Sequence, residues 1–532
     1  MMFLKSWIVN ILNKHGPYGF GWLAFLILLT TLVFSTNFLH TASEFQFRTY
    51  RDGSEALVLG KIFADVEGIT TDHANLGFVE KEKITKSADV LTVYKRLNQP
   101  NTVVPEDLND SNWNHGIGTF DAVFLLSRAN VAKLGYASNE LKPNQKIRFP
   151  NGEIRVVTKV ELNDQFLQVY YSGEKLQGTQ FGFPNPIEVL ESKNYVFDGY
   201  KSQYGFQGIV FSWLHRTAGA IATVEWMQFL SATLCALVVV LLCREYQISF
   251  SASYGYIFLI CMIGSPWIVS VARSLYWVPA LWFLPALVAM WLYRCPIHLK
   301  LRRFLYVLYF LAIFFKSLTG YEYLSTIVIF SLVIFLVDPF RPDSRYRIAS
   351  SIKIVSILFI LSLIGFILAL LVHASIRADS ILQGLKITLE GDAIKYTRLP
   401  EMTGNISRGV AMPLADVLNN YILEWTTPVV FWVEHKLIYP MLIYLAIFSV
   451  GFQYFSSNVA RHRDAALIFV TALAPLSWLI LMKGHSVIHV HLNYVLWYFG
   501  FIPTLIFVGF RGIVLISHIK INSYSSIKHE RR

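Results

Sequence analysis

The residues able to do chemistry are few in this chain, and they stand in short groups beside long apolar runs. Arg51-Asp52-Gly53-Ser54-Glu55 places two acids three residues apart, with Arg48 just upstream. On a helix, Asp52 and Glu55 would share a face, and a carboxylate there could act as a general base toward a hydroxyl. The same spacing fits a helix cap, with Asp52 at the N-cap and Glu55 at the third position. Further along, Gln203 and Tyr204 precede Gly205-Phe206-Gln207-Gly208, whose glycines permit a turn or a close backbone approach. Arg273 stands near Trp267, Tyr276 and Trp277, and Lys316 stands just before Tyr321-Glu322. Arginine grips phosphate through a bidentate fork and lysine as a point charge, while the aromatics are expected to be interfacial anchors.

Lys483-Gly484-His485-Ser486-Val487-Ile488-His489-Val490-His491 carries three histidines in seven residues. His485 and His489 would align on a helix, whereas His489 and His491 would align on a strand. Three readings stay open for them: a metal site, hydrogen bonding to phosphate or sugar, and satisfaction of a polar turn. No acidic ligand adjoins them and no Cys/His zinc spacing occurs, so no cofactor is assigned, with a divalent metal left open.

The elements that must position these groups are membrane helices. Of 532 residues, 54% are hydrophobic and only 15% charged, against about 25% charged in soluble domains. The apolar residues concentrate in runs close to the roughly 17–25 residues that cross a bilayer as helix. Spans are expected near 20–34, 217–243, 252–271, 275–293, 304–318, 321–337, 352–373, 438–456, 464–482 and 492–515, about ten in all. The net charge is +11, yet residues 37–215 hold 18 Lys and Arg against 21 Asp and Glu. The excess therefore sits in short loops, which argues for the positive-inside pattern and against nucleic acid.

Those loops put both termini in the cytoplasm. The expected organisation is 1–36 N-terminus and first span, 37–216 extracytoplasmic insertion, 217–373 spans two to seven, 374–437 second outer loop, 438–516 spans eight to ten, and 517–532 a basic tail. Within the insertion, Glu55–Phe63 predicts an amphipathic helix lying along the membrane. Lys146-Ile-Arg-Phe, Pro150-Asn151-Gly152 and Ile154–Val160 predict strand, turn and strand, followed by Phe166–Tyr171. The fold class is thus a polytopic α-helical membrane protein with a mixed α/β insertion in its first outer loop. On this topology Arg48, Arg51, Asp52, Glu55, Gln203, Tyr204, Arg273, Lys316, Tyr321, Glu322, Arg377, Lys483, His485, His489 and His491 all fall at the outer ends of spans. Charges held near hydrocarbon are costly and mark function.

Asp52, Glu55 and the surface-helix candidate after them, on this many-span topology, resemble the GT-C superfamily of integral membrane glycosyltransferases. The resemblance implies a polyprenyl- or dolichyl-phosphate sugar donor, inversion at the sugar carbon, and Asp52 as activator of a glycan, lipid or protein acceptor. It departs from the family in the two residues between the acids, where adjacent acids are common. The implied location is a bacterial inner membrane, in contact with membrane lipids. Arg273, Lys316 or Lys483 would stabilise the phosphate leaving group by position. The alternatives are a polysaccharide polymerase or ligase, and a transporter or flippase for which Glu225 would be the acid within a span.

Overall fold

The computed structural model describes residues 20–49, 54–81, 122–127, 146–148, 154–162, 166–171, 188–189, 195–295, 299–393, 413–423, 429–431, 438–455 and 461–530. Asp52 and Arg51 lie outside the described residues, as does the side chain of His491. The chain divides into two compact units. Unit 1 comprises Met1–Ser43, Phe229–Arg273 and Val278–Arg532, and unit 2 comprises Glu44–Gln228 with Ser274–Trp277.

Unit 1 begins with α1 (Phe20–Thr36), which contains no charged residue. Asn37 ends it: its carboxamide accepts from the Ala42 N–H at 3.1 Å and donates to the Ala42 carbonyl at 2.7 Å.

Unit 2 opens with α2 (Glu44–Thr49), where Arg48 pairs with Glu44 one turn away, and α3 (Glu55–Glu67). Gly68 closes α3 in the left-handed region at φ 68°, a conformation that glycine adopts without strain. β1 (Gly77–Lys81) pairs antiparallel with the distant β7 (Tyr195–Gly199). Between them β2 (Ala122–Ser127), β3 (Lys146–Arg148), β4 (Ile154–Leu162), β5 (Phe166–Tyr171) and β6 (Glu188–Val189) form a sheet in the order β2-β5-β4-β3-β6. The expected strands at 146, 154 and 166 are present and antiparallel. α4 (Phe206–Ala218) completes the unit with a one-turn 3₁₀ helix, Gly219–Ile221.

Two expectations change here. The apolar face of α3, including Leu57, Val58, Ile62 and Ala64, is buried by protein rather than laid on a membrane. β1 and α4 cover it. Approach is so close that a Cβ on Gly60 would stand 1.9 Å from the Gly77 carbonyl oxygen. The predicted span from 217 also divides: Gly219, at φ 58°, ends α4, and α5 (Val224–Ser249) starts afresh.

Unit 1 resumes within α5 and continues through α6 (Ala252–Gly264) and α7 (Pro266–Val271). The single helix expected over 252–271 breaks because Pro266 has no N–H to continue the ladder, and Ser265 Oγ instead accepts from the Ile268 N–H at 3.1 Å. Then follow α8 (Ala280–Arg294), α9 (Leu299–Thr319), α10 (Leu324–Val337), α11 (Ile348–Arg377) and α12 (Ile381–Lys386). The unit ends with α13 (Leu414–Ile422), α14 (Ile438–Phe455), α15 (Arg461–Leu481), the short α16 (Lys483–Ile488) and α17 (Val490–Asn493), and α18 (Phe501–Glu530). The last predicted span, 492–515, is thus two short helical turns and a long helix that runs on through the basic tail.

Among the described residues, α5, α11, α14 and α15 are long and apolar enough to cross a membrane, and five shorter apolar helical stretches of 10–17 residues accompany them. α11 exposes Phe359, Ile360, Leu363, Ile364 and Ile367, a surface that belongs in lipid rather than water. Inside the bundle α9 packs on α11, α10 on α15, and α14 on α18. Tyr309 on α9 ties three helices, with its hydroxyl 2.8 Å from Ser331 Oγ and 3.1 Å from Ser362 Oγ.

Candidate functional site

Unit 1 has two chemically different ends. α8, α10 and α15 each run from one to the other, so their termini define them. At the first end stand the close of α8 and α10 and the start of α15. Among the described residues every buried carboxylate there is matched. Glu245 takes two hydrogen bonds of 2.8 Å from Arg294. Asp338 accepts from the Tyr293 hydroxyl at 2.6 Å and from the backbone N–H groups of Arg345 and Tyr346 at 3.0 and 2.8 Å. Asp464 holds Arg511 at 2.7 Å through both oxygens, with Arg463 at 2.9 Å and Gln453 at 3.1 Å. In the adjoining loop, hydrogen bonding from Arg341 holds the Asp343 carboxyl below its usual range. Charges so completely answered are structural.

The second end is different. Lys316, in the last turn of α9, is 2% exposed. Its ammonium donates to the Gly320 carbonyl at 2.6 Å, and Glu322 acts on it electrostatically. Among the described residues no carboxylate stands within the 4.0 Å of an ion pair. An ammonium has three N–H donors, and one is used among the described residues. The turn is built by Gly320 and by Tyr323, whose φ of 63° is unusual for a side chain of that size. That strain delivers the Tyr323 ring, 1% exposed, into the bundle. Its centroid lies 5.3 Å from Trp282, 5.4 Å from Trp478 and 6.3 Å from His485. Trp478 and His485 are 5.3 Å apart, and His485 and His489 are 4.5 Å apart. One turn on, Asn493 is fully buried, and neither atom of its carboxamide has a partner among the described residues.

Several sequence-predicted residues therefore lie at this end of unit 1. Lys316 and Glu322 form one turn, and Tyr321 beside them is 2.9 Å from His373 Nδ1 on α11. Lys483 opens α16, which carries His485 and brings it against His489, as the helical alternative requires. Arg377 closes α11. Arg273 follows α7 and reaches the Ser35 carbonyl at a long 3.5 Å. Trp267, expected as an interfacial anchor, is instead 2% exposed, with its ring centroid 5.0 Å from that of Tyr494. Tyr276 and Trp277 are buried as well. Glu225, the acid expected within a span, is exposed in the first turn of α5. Among the described residues no three His, Cys, Asp or Glu side chains gather as a metal site.

The remaining candidates, like Tyr276, Trp277 and Glu225, belong to unit 2. Glu55 is fully buried. Its Oε1 accepts from the Leu275 N–H at 3.0 Å, and Gln228 Nε2 stands 3.3 and 3.4 Å from its two oxygens. It opens α3 and fastens the Ser274–Trp277 segment, a positioning role. Gln207 holds the same segment through the Tyr276 carbonyl at 3.1 Å. Gln203 is buried, and Tyr204 receives a hydrogen bond of 2.9 Å on its carbonyl from Asn75. The glycines here are structural: Gly205 has φ 76°, and a Cβ on Gly208 would stand 1.9 Å from the Asn75 carbonyl oxygen. Arg48, paired with Glu44, sits apart on the half-exposed α2.

Sequence reasoning missed Trp282, Tyr323, Trp478 and Asn493, because each looks like ordinary apolar or interfacial composition until the helices meet. Asn493, alone between apolar neighbours, was the one available signal. No protein-family model matches the chain, and no curated protein or solved structure is significantly similar to it.

Proposed function

We propose that the chain is a membrane glycosyltransferase. It moves a sugar from a polyprenyl-phosphate-linked donor to a glycan, lipid or protein acceptor on the extracytoplasmic side, in cell-envelope glycan assembly or modification. The architecture proposed with it has about ten spans, both termini cytoplasmic, and the Lys316 end of unit 1 facing outward. The opposite, arginine-rich end then faces the cytoplasm, as positive-inside orientation requires.

The observation that carries the proposal is Lys316, a buried ammonium that makes one hydrogen bond and no ion pair among the described residues, at the end of unit 1 where Tyr323, Trp478, His485 and His489 cluster. A buried cation is retained against its desolvation cost when an anion needs it. A lipid-linked phosphate is such an anion and reaches a membrane-edge site from the bilayer. In the reaction the acceptor oxygen bonds to the anomeric carbon as the bond from that carbon to the phosphate oxygen breaks. The phosphate leaves with the electron pair, and the acceptor's proton goes to a base. Lys316 stabilises the charge growing on the phosphate, and His485 and His489, at the same end of unit 1, offer hydrogen bonds to phosphate or sugar. The base is assigned on sequence grounds to Asp52.

The test is transfer of sugar from a synthetic polyprenyl-phosphate sugar by purified protein, with mass-spectrometric detection of product. Asp52→Asn should insert normally and lose transfer. A well-expressed Asp52→Asn protein with unchanged transfer removes Asp52 as the base.

A further inference from the structure

α4 is two-faced. Gln207, Gly208, Phe211 and Ser212 face inward and are buried. Ser212 donates to Asp65, which also pairs with Lys61 at 2.6 Å, so this face is bolted to α3. On the opposite side of the helix Val210 is 37% exposed and Trp213 57%. The exposed apolar side chains continue past the helix end through Ile221 at 70%, Trp226 at 37% and Phe229 at 46%. These are large apolar groups, closely spaced along the chain and exposed among the described residues, too many to leave in water.

What covers it follows from chain continuity. Ile221 lies three residues before α5, one of the helices long and apolar enough to cross a membrane. The corner between them is fixed: His215 Nδ1 donates to the Ala222 carbonyl at 2.9 Å, and the Ala222 N–H bonds to Gly219. A helix joined by such a corner to a span starts where the span enters the bilayer. Its outward side carries a tryptophan, and its last turn carries Arg216, exposed and able to meet lipid phosphate.

We infer that α4 and its 3₁₀ corner, Phe206–Ile221, lie in the membrane interface with Val210, Trp213 and Ile221 inserted among lipid chains, and anchor unit 2 to the bilayer through Asp65–Ser212. The membrane-surface role expected of α3 from its sequence belongs to α4. This holds whatever reaction the protein performs.

Cysteine is introduced singly as Trp213→Cys, Ile221→Cys and, as the exposed control on α3, Glu67→Cys, in the full chain reconstituted in phosphatidylcholine–phosphatidylglycerol vesicles. The four native cysteines are buried. Each introduced thiol carries an environment-sensitive fluorophore, and the vesicles contain a phospholipid spin-labelled near its headgroup. Quenching at 213 and 221 should exceed that at 67 by about twofold or more, as for groups held at the headgroup boundary. Equal quenching at all three overturns the inference. A photoactivatable phospholipid on the unaltered protein gives a second reading: adducts should map to 206–221. Adducts on α11 with none on 206–221 also overturn it.

Discussion

Lys316→Met separates a lysine kept for an anion from one kept for the fold. The methionine fills the same elongated space without the charge. Two structural quantities set the outcome. The substitution removes one charge-assisted hydrogen bond, Nζ to the Gly320 carbonyl at 2.6 Å, worth about 1.5–3 kcal/mol. It also relieves the desolvation of an ammonium that is 2% exposed and forms no ion pair among the described residues, a cost of several kcal/mol per ion. The two nearly cancel or leave a gain, so the melting temperature of the detergent-solubilised variant should stay level or rise. Transfer should fall about 10²–10³-fold, the loss seen when one preorganised group stabilising transition-state charge is removed. The assay pairs a thermal melt with initial rates from the synthetic donor. A variant that melts much lower while transferring sugar at the wild-type rate would refute the reasoning and make Lys316 a clasp for the Gly320 turn.

Three further outcomes follow. Glu55→Ala should destabilise unit 2 by about 2–4 kcal/mol, since it leaves the buried Leu275 N–H and Gln228 without their acceptor; faster hydrogen exchange at Leu275 is the readout. Gly208→Ala forces a Cβ to 1.9 Å from the Asn75 carbonyl oxygen, a backbone clash that should cost about 3 kcal/mol or more and expose α4 to proteolysis. Asp464→Ala strands Arg511 and Arg463 and should cost about 3–5 kcal/mol in thermal unfolding, whereas Arg511→Ala should be milder because Arg463 and Gln453 still answer the carboxylate.

The helical bundle was legible because the bilayer demands long uncharged runs, and such runs are visible as composition. α1, α11 and α15 stand within a few residues of their predicted places. The breaks were harder. Ser265-Pro266 and Gly219 carry the residue types that end helices, but an apolar run outweighs two residues in any window. The misplacement of the surface helix is more instructive. Periodicity in α3 declares an apolar face, and says nothing of what covers it. The cover comes from β1, whose partner β7 lies more than a hundred residues away, and from α4. The candidate site was half legible for the same reason. Lys316, Glu322, His485 and His489 announce themselves by charge. Trp282, Tyr323 and Trp478 gain meaning only when α8, α10 and α15 bring Trp478 and Tyr323 onto His485 and Trp282 onto Tyr323.

The central claim, that the Lys316 end of unit 1 takes a lipid-linked phosphate sugar, is tested most directly by native mass spectrometry of the protein released from nanodiscs containing a polyprenyl-phosphate sugar. The account predicts a one-to-one donor adduct that survives competition from phosphatidylglycerol and disappears in Lys316→Met. An adduct no stronger than that of phosphatidylglycerol, or one that persists unchanged in Lys316→Met, would contradict it.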